Sequence, residues 1–288
     1  MKIYDCFLFF NELELLDLRL NILKDVVDYF VIVESTVTFT SKPKKLIYEE
    51  NKELFKEFED KIIHVIIDDS PNNFSKINYI TPETTESDVL KNKVLKYVHE
   101  STGWNHSNPN DVQWGVETYQ RESIINGLIN CDDDDIIIIS DIDEIPNPIE
   151  VDKLIKSPNE VCNFLQTMYF YYFNLLKEKN WSGPKSCNWG KLKNISLNHL
   201  RQNKFTTKVI ENGGWHFSFM GGESKIIEKI EAYGHQEFNN NFYKDKIISN
   251  MDNNTDPFLR GQLIKVDIDD SYPEYLLNNL DKYKHMIK

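Results

Sequence analysis

The 288-residue chain predicts an α/β fold with a mostly parallel central sheet flanked by helices, on three observations. Strand-like apolar runs alternate with helix-like segments through the first third, and such alternation builds a parallel sheet by crossover connections. The run Asp134 to Pro146, DDIIIISDIDEIP, carries four consecutive isoleucines, as a strand buried on both faces does. That run ends in Asp141 and Asp143, and the carboxyl ends of strands are where open α/β sheets bind ligands.

Taken in order, Ile3 to Phe10 reads as the first strand, and Asn11 with Glu14 forms a capping box for a helix carrying Leu13, Leu16, Leu20 and Leu23 on one face. Tyr29 to Glu34 (YFVIVE) is a second strand. After a helical Glu49 to Glu59, Ile62 to Ile67 (IIHVII) is a third. Residues 69–111 hold SPNN, TPETTESD and GWNHSNPND around a helical Val89 to His99, and read as an insertion or mobile loop over the sheet edge. Val112 to Asn130 reads as a helix leading into the isoleucine strand, and Cys162 to Leu176 as an aromatic-rich strand region. Beyond Trp181 the periodicity weakens, apart from GGWHFSF at 213–219, a helix from about Glu223 to Ala232 and a terminal helix after Pro273. With no internal repeat or low-complexity linker, residues 1–288 are expected to form one catalytic unit.

A hydrophobic content of 40% excludes a disordered chain. The net charge of −13 excludes nucleic acid and anionic membranes as partners, and an anionic substrate needs local compensation by a metal or a few placed cations. Cys6, Cys131, Cys162 and Cys187 are widely spaced and read as reduced thiols rather than a zinc or disulfide framework. Asp5, Glu12, Glu14 and Asp17 interrupt the apolar amino terminus too early for a signal peptide or anchor. No later segment reaches transmembrane length, so a soluble protein, cytoplasmic or otherwise, is expected.

In strand-like extension Asp141 and Asp143 share a side while Ile142 turns to the core. Two hard oxygen ligands this close suit Mg²⁺ or Mn²⁺; a polar strand end is the bland alternative. In Gly213-Gly214-Trp215-His216 the glycines permit close backbone approach. His216 is either a nitrogen ligand to the same metal or a hydrogen-bonded core residue. Arg121 either offers a forked donor to a diphosphate, pins the Asp141 loop, or makes an Arg-Glu surface pair. Glu34, at the end of the second strand, is placed to accept from a ribose hydroxyl or a uracil imide. Asn11 ends the first strand, where capping alone would also explain it. Lys42, Lys44 and Lys45 form a basic island that meets phosphate or water, and the Trp181 to Lys185 stretch reads as loop around a polar ligand or a loop anchor. Glu144, Glu223, His235 and Glu237 are the general-base candidates. Glu223 follows Gly221-Gly222 and opens a helix, where a first-turn carboxylate is stabilising in its own right.

The segments FFNELELLDLRLNIL (9–23), VDYFVIVEST (27–36), QRESIINGL (120–128), DDIIIISDIDEIP (134–146), GGWHFSF (213–219) and YPEYLLNNLDKY (272–283), in this order, resemble glycosyltransferase family 17, which includes the bisecting β-1,4-mannosyl-glycoprotein β-1,4-N-acetylglucosaminyltransferase. The resemblance implies a GT-A-like nucleotide-sugar fold, inverting transfer of N-acetylglucosamine from a UDP-sugar to a glycan acceptor, and a divalent metal bridging the diphosphate. It puts Asp141 and Asp143 on the metal motif and Trp215-His216 on a later Trp-His pair, with Trp215 on the donor side. Animal members are membrane-anchored Golgi enzymes, so the resemblance leaves the acceptor glycan open. A noncatalytic sugar-nucleotide or glycan-binding protein and a metal-dependent phosphohydrolase are the alternative readings.

Overall fold

The computed structural model describes residues 1–74, 77–100, 112–202 and 206–288. Its strands are β1 (Ile3–Phe9), β2 (Tyr29–Ser35), β3 (Ile62–Ile67), β4 (Ile136–Asp141), β5 (Glu144–Pro146), β6 (Cys162–Phe170), β7 (Leu175–Asn188), β8 (Lys208–Ile210), β9 (Gly214–Ser218) and β10 (Ile264–Lys265). The helices are α1 (Leu13–Leu23), α2 (Ile47–Asn51), α3 (Glu86–Glu100), α4 (Val112–Glu122), α5 (Pro148–Asp152), α6 (Trp189–Leu192), α7 (Leu197–Arg201), α8 (Glu223–Ala232), α9 (Asn241–Lys244), α10 (Ile247–Asp252) and α11 (Glu274–Asn278).

The strands join in the order β3-β2-β1-β4-β7-β6-β9-β5, with β8 on β6 and β10 on β7. The β3-β2-β1-β4 half is parallel throughout, and β6 pairs in parallel with both β8 and β9. The class is the expected one, α/β, with a mostly parallel sheet flanked by helices. Antiparallel β7 closes the parallel half against β4 and carries the sheet on into β6.

Residue parity explains why the strands are apolar on both sides. Phe7, Phe9, Phe30, Ile32, Ile136 and Ile138 face one core, completed by Leu16 and Leu20 of α1 and by Leu276 near the carboxyl terminus. Cys6, Leu8, Val31, Val33, Ile137 and Ile139 face the other, covered by Val94 and Val98 of α3, Val116 of α4 and Leu200 of α7. Successive strands leave β1 toward β2 and β3 on one side and β4 on the other, so the crevice between β1 and β4 is the topological switch point.

Some local expectations are revised. The first residue before α1 is Glu12, not Asn11, and no side-chain capping bond forms; instead the Glu12 carboxylate accepts from the backbone N–H groups of Phe10 and Asn11. Trp181 to Lys185 lie within β7, not in a loop, because β7 is half edge and half core. Its first half is exposed and charged, its second half buries Lys185, Ser186 and Cys187 against β4 and β6, and neither half alternates cleanly. Of the 69–111 stretch, α3 packs Val94, Leu95 and Val98 onto the sheet face, while 101–111 and their place in the expected loop lie outside the described residues. The glycine pair behaves as expected. A Cβ on Gly213 would stand 2.7 Å from the Leu165 backbone, and one on Gly214 2.2 Å from the Ile145 carbonyl, at φ +119°.

Candidate active site

β4 ends at Asp141, and residues 141–144 turn there instead of continuing extended. Ile142 is buried in the core, as the alternation requires. From beneath, the fully buried guanidinium of Arg19 donates to the carbonyls of Asp141 (2.9 Å), Ile142 (3.2 Å) and Glu144 (2.9 Å). Asp5 on β1 holds the other edge of the same guanidinium through two bonds of 2.7 and 2.6 Å. One planar fork thus ties three carbonyls of the turn to the central strand, a geometry lysine cannot reproduce.

Glu144 is buried beside this turn. It accepts from the Asp141 N–H at 3.2 Å and the Trp181 indole at 3.1 Å, and takes Arg201 from α7 at 2.8 and 3.0 Å. Arg201 also reaches Asp141 at 3.2 Å, and Arg121 reaches the other Asp141 oxygen at 3.1 Å. Burial alone would raise the Asp141 carboxyl; Arg201 and then Arg121 outweigh it and hold the group below the usual carboxylate range. Asp143 is paired with Lys229 of α8 at 2.6 Å and with His216 Nε2 at 3.4 Å. There too burial opposes ionisation, and Lys229 followed by His216 prevails, holding the carboxyl far below its ordinary value.

Above the turn opens a cavity of about 710 Å³ at the carboxyl ends of β1 and β4. Of the candidates, Arg121, Asp141, Asp143, His216, His235 and Glu237 line it, with Lys44 and Trp181. Arg121 pins Asp141, and its pair with Glu117 at 3.0 Å is buried in the site, not a surface pair.

The remaining candidates are placed elsewhere. Asn11 donates to Glu228. Glu34 is fully buried and already accepts from the Tyr48 N–H at 3.0 Å, with His64 at 3.2 Å and Lys44 at 3.4 Å, so its carboxylate is spent on the fold. Glu144 is consumed by Arg201, leaving no free base there. Glu223 is exposed in the first turn of α8, off the cavity wall, where it favours the helix dipole. Trp215 faces the core, because alternation along β9 sends its ring opposite to His216, and its indole donates to the Ser271 carbonyl at 3.0 Å.

Asp141 and Asp143 are two hard oxygen donors on the cavity floor at the end of a strand, one of them half-exposed, and a divalent ion there would take oxygens that Arg121, Arg201, Lys229 and His216 hold in this arrangement. His216 fits less well. Its Nδ1 is buried without a hydrogen-bond partner, whereas a metal-bound imidazole ordinarily donates its second N–H to an acceptor. The structure makes His216 the neighbour of Asp143. Among the described residues, three acidic oxygens converge within 4.8 Å only at Asp132, Asp134 and Asp135. That cluster precedes β4, at the opposite end from the cavity, and its Asp135 accepts from the Lys2 and Asp132 backbone.

Sequence reasoning missed Arg19, Arg201 and Lys229. Arg19 had a signal, a charge between Leu18 and Leu20 on a leucine-rich helix face. Arg201 and Lys229 had none, since their partners lie 57 to 86 residues away.

Comparison with known proteins adds a separate line. The sequence model of glycosyltransferase family 17 matches residues 1–98 and 73–256. No curated protein sequence matches the chain. Among solved structures it is similar to one described as the crystal structure of 4-diphosphocytidyl-2C-methyl-D-erythritol synthase, at 11% identity over 73% of this chain and 88% of that chain, with a TM-score of 0.35, a likeness too loose to carry an argument. No helix among the described residues is long and apolar enough to cross a membrane.

Proposed function

Since the chain belongs to glycosyltransferase family 17 and is therefore a glycosyl-transferring enzyme, we propose that it transfers N-acetylglucosamine from a UDP-sugar to a glycan hydroxyl with inversion, and that Asp141 and Asp143 hold a Mn²⁺ or Mg²⁺ ion for this purpose. The observation that carries the reading is the carboxylate pair on the floor of a cavity at the β1/β4 switch point. Bound there, the ion supplies positive charge to a departing diphosphate. Residues 1–288 act as one catalytic unit.

The surrounding residues have separable tasks. Arg19 fixes the turn from the core side and Arg201 holds the Asp141 carboxylate, so the two aspartates are kept on the cavity floor. Lys229 and Lys44 reach the cavity wall and place cations where an anionic donor would otherwise meet a protein of net charge −13. Phe10 and Phe39, just past β1 and β2, offer ring faces to a nucleobase. Glu237 also lines the wall and is available to the acceptor side.

Calorimetric titration of UDP-N-acetylglucosamine with Mn²⁺, and again with chelator, tests the reading. It predicts binding that requires the metal and is lost for a non-uridine sugar nucleotide. Equal affinity with and without metal contradicts the metal assignment, and no affinity for any UDP-sugar contradicts the donor.

A further inference from the structure

The cavity runs past Asp143 and Lys229 into a bay with aromatic walls. Trp114 of α4 and, after α8, Tyr233, Gly234, His235, Glu237 and Phe238, with Phe258, line it as one continuous wall, His235 packing against Trp114. Phe238 stacks on Phe258 with centroids 4.1 Å apart. The bay is joined to the aspartates by direct packing. A Cβ on Gly234 would lie 2.7 Å from Glu117 Oε2 and 2.9 Å from the Trp114 ring, and Glu117 is the partner of Arg121, which holds Asp141.

Two polar features in this bay are unused by the fold. The Tyr233 hydroxyl is buried and has no hydrogen-bond partner, although burying such a group unpaired is costly. His235 stands edge-on to Trp114 at 4.8 Å, and its Nδ1 is 2.7 Å from Glu237 Oε1. A carboxylate only accepts, so Nδ1 carries the hydrogen and the lone pair of the neutral ring sits on Nε2. A ring oriented by a carboxylate, with its other nitrogen free, is the arrangement a general base needs.

Resting on the glycosyl-transfer reading above, we propose that this bay is the acceptor subsite, that it takes a hexose or N-acetylhexosamine unit of a glycan, and that His235 is the base, with Glu237 as its positioning residue. The sugar's C–H face packs on the aromatic wall. In the reaction Nε2 takes the proton of the attacking hydroxyl while its oxygen bonds to the anomeric carbon. The bond from that carbon to the diphosphate oxygen breaks, and its electron pair leaves with the nucleoside diphosphate. The proton then passes from the imidazolium to water.

The test measures Mn²⁺-dependent transfer from UDP-N-acetylglucosamine to a panel of p-nitrophenyl glycosides of glucose, galactose, mannose and N-acetylglucosamine, with donor binding followed separately by calorimetry. His235→Asn is expected to lower kcat by about 100-fold or more with donor affinity unchanged. Glu237→Gln should lower kcat with the acceptor KM and donor affinity unchanged, because the ring loses the acceptor that orients it, and Trp114→Ala should raise the acceptor KM alone. Glu223→Gln, in the first turn of α8 and off the cavity wall, should retain transfer. If His235→Asn keeps its turnover, or if Glu223→Gln abolishes it while donor still binds, the base assignment is overturned. Failure of every glycoside to accept sugar or bind overturns the bay. Loss of donor binding in the wild-type protein instead overturns the glycosyl-transfer reading on which the bay rests.

Discussion

Arg19→Met isolates the device that shapes the site. The substitution strands Asp5, which is fully buried, and removes the donor to three carbonyls of the 141–144 turn. Removing one partner of a buried ion pair costs about 3–5 kcal/mol. The turn borders the cavity, so water can reach part of what the guanidinium leaves, and a total near 4 kcal/mol is expected, a large share of the roughly 5–15 kcal/mol of a typical domain. The double variant Arg19→Met/Asp5→Leu removes both charges and should recover about 2–3 kcal/mol of that loss, since replacing a buried pair by apolar groups is often nearly neutral. Donor affinity should stay reduced by about tenfold in the double variant, because its turn still lacks the fork, and tenfold corresponds to about 1.4 kcal/mol of lost positioning. Urea unfolding gives the stabilities and calorimetry the affinity. A cost below about 1 kcal/mol for Arg19→Met, or a double variant as unstable as the single, would refute the reasoning.

Three further outcomes follow from particular contacts. Lys185 is fully buried, and burial followed by the Arg201 charge pushes its ammonium down to about 7. Between that value and about 10.4 the unfolded chain holds a proton the native one lacks, so stability should rise with pH by up to about 1.4 kcal/mol per unit, and Lys185→Met should flatten that slope in urea titrations from pH 7 to 9.5. Gly214→Ala should cost about 2 kcal/mol or more by thermal unfolding, because its Cβ meets the Ile145 carbonyl at a positive φ; a neutral result would mean that β5 and β9 part freely. Trp215→Phe should lose about 1 kcal/mol for its bond to Ser271 and leave UDP-sugar affinity untouched, whereas a loss of affinity would return Trp215 to the donor side.

What could be read in advance depended on whether a residue's environment was set by its near neighbours. The strands β1, β2 and β4 were legible because both faces are buried and their residues are apolar throughout. α8 was legible at both ends: Gly221 and Gly222 take positive φ before it, and Ile226 and Ile230 mark its buried face. β7 was not, since the buried positions Lys185, Ser186 and Asn188 are polar residues, and Lys185 and Asn188 draw on distant partners, Asn163 on β6 and Asn159 before it. Within the site, the carboxyl edge position of Asp141 and Asp143 could be read from one short segment. The role of Glu144 could not, because the turn that presents its neighbours to the cavity sends Glu144 down to Arg201, a partner supplied by α7.

On the proposed reading Asp143 serves the chemistry and not the fold. Its neighbours allow the separation, because Lys229 is partly exposed and can turn to water when its partner is neutralised. The direct measurement is UDP release from UDP-N-acetylglucosamine at saturating Mn²⁺ by the wild-type protein and by Asp143→Asn, with unfolding midpoints taken on the same preparations. The account predicts at least about a 100-fold fall in metal-dependent turnover, of the order seen when a transition-state charge stabiliser is removed, with the midpoint little changed. Turnover equal to that of the wild-type protein, in a variant that remains folded, would contradict it.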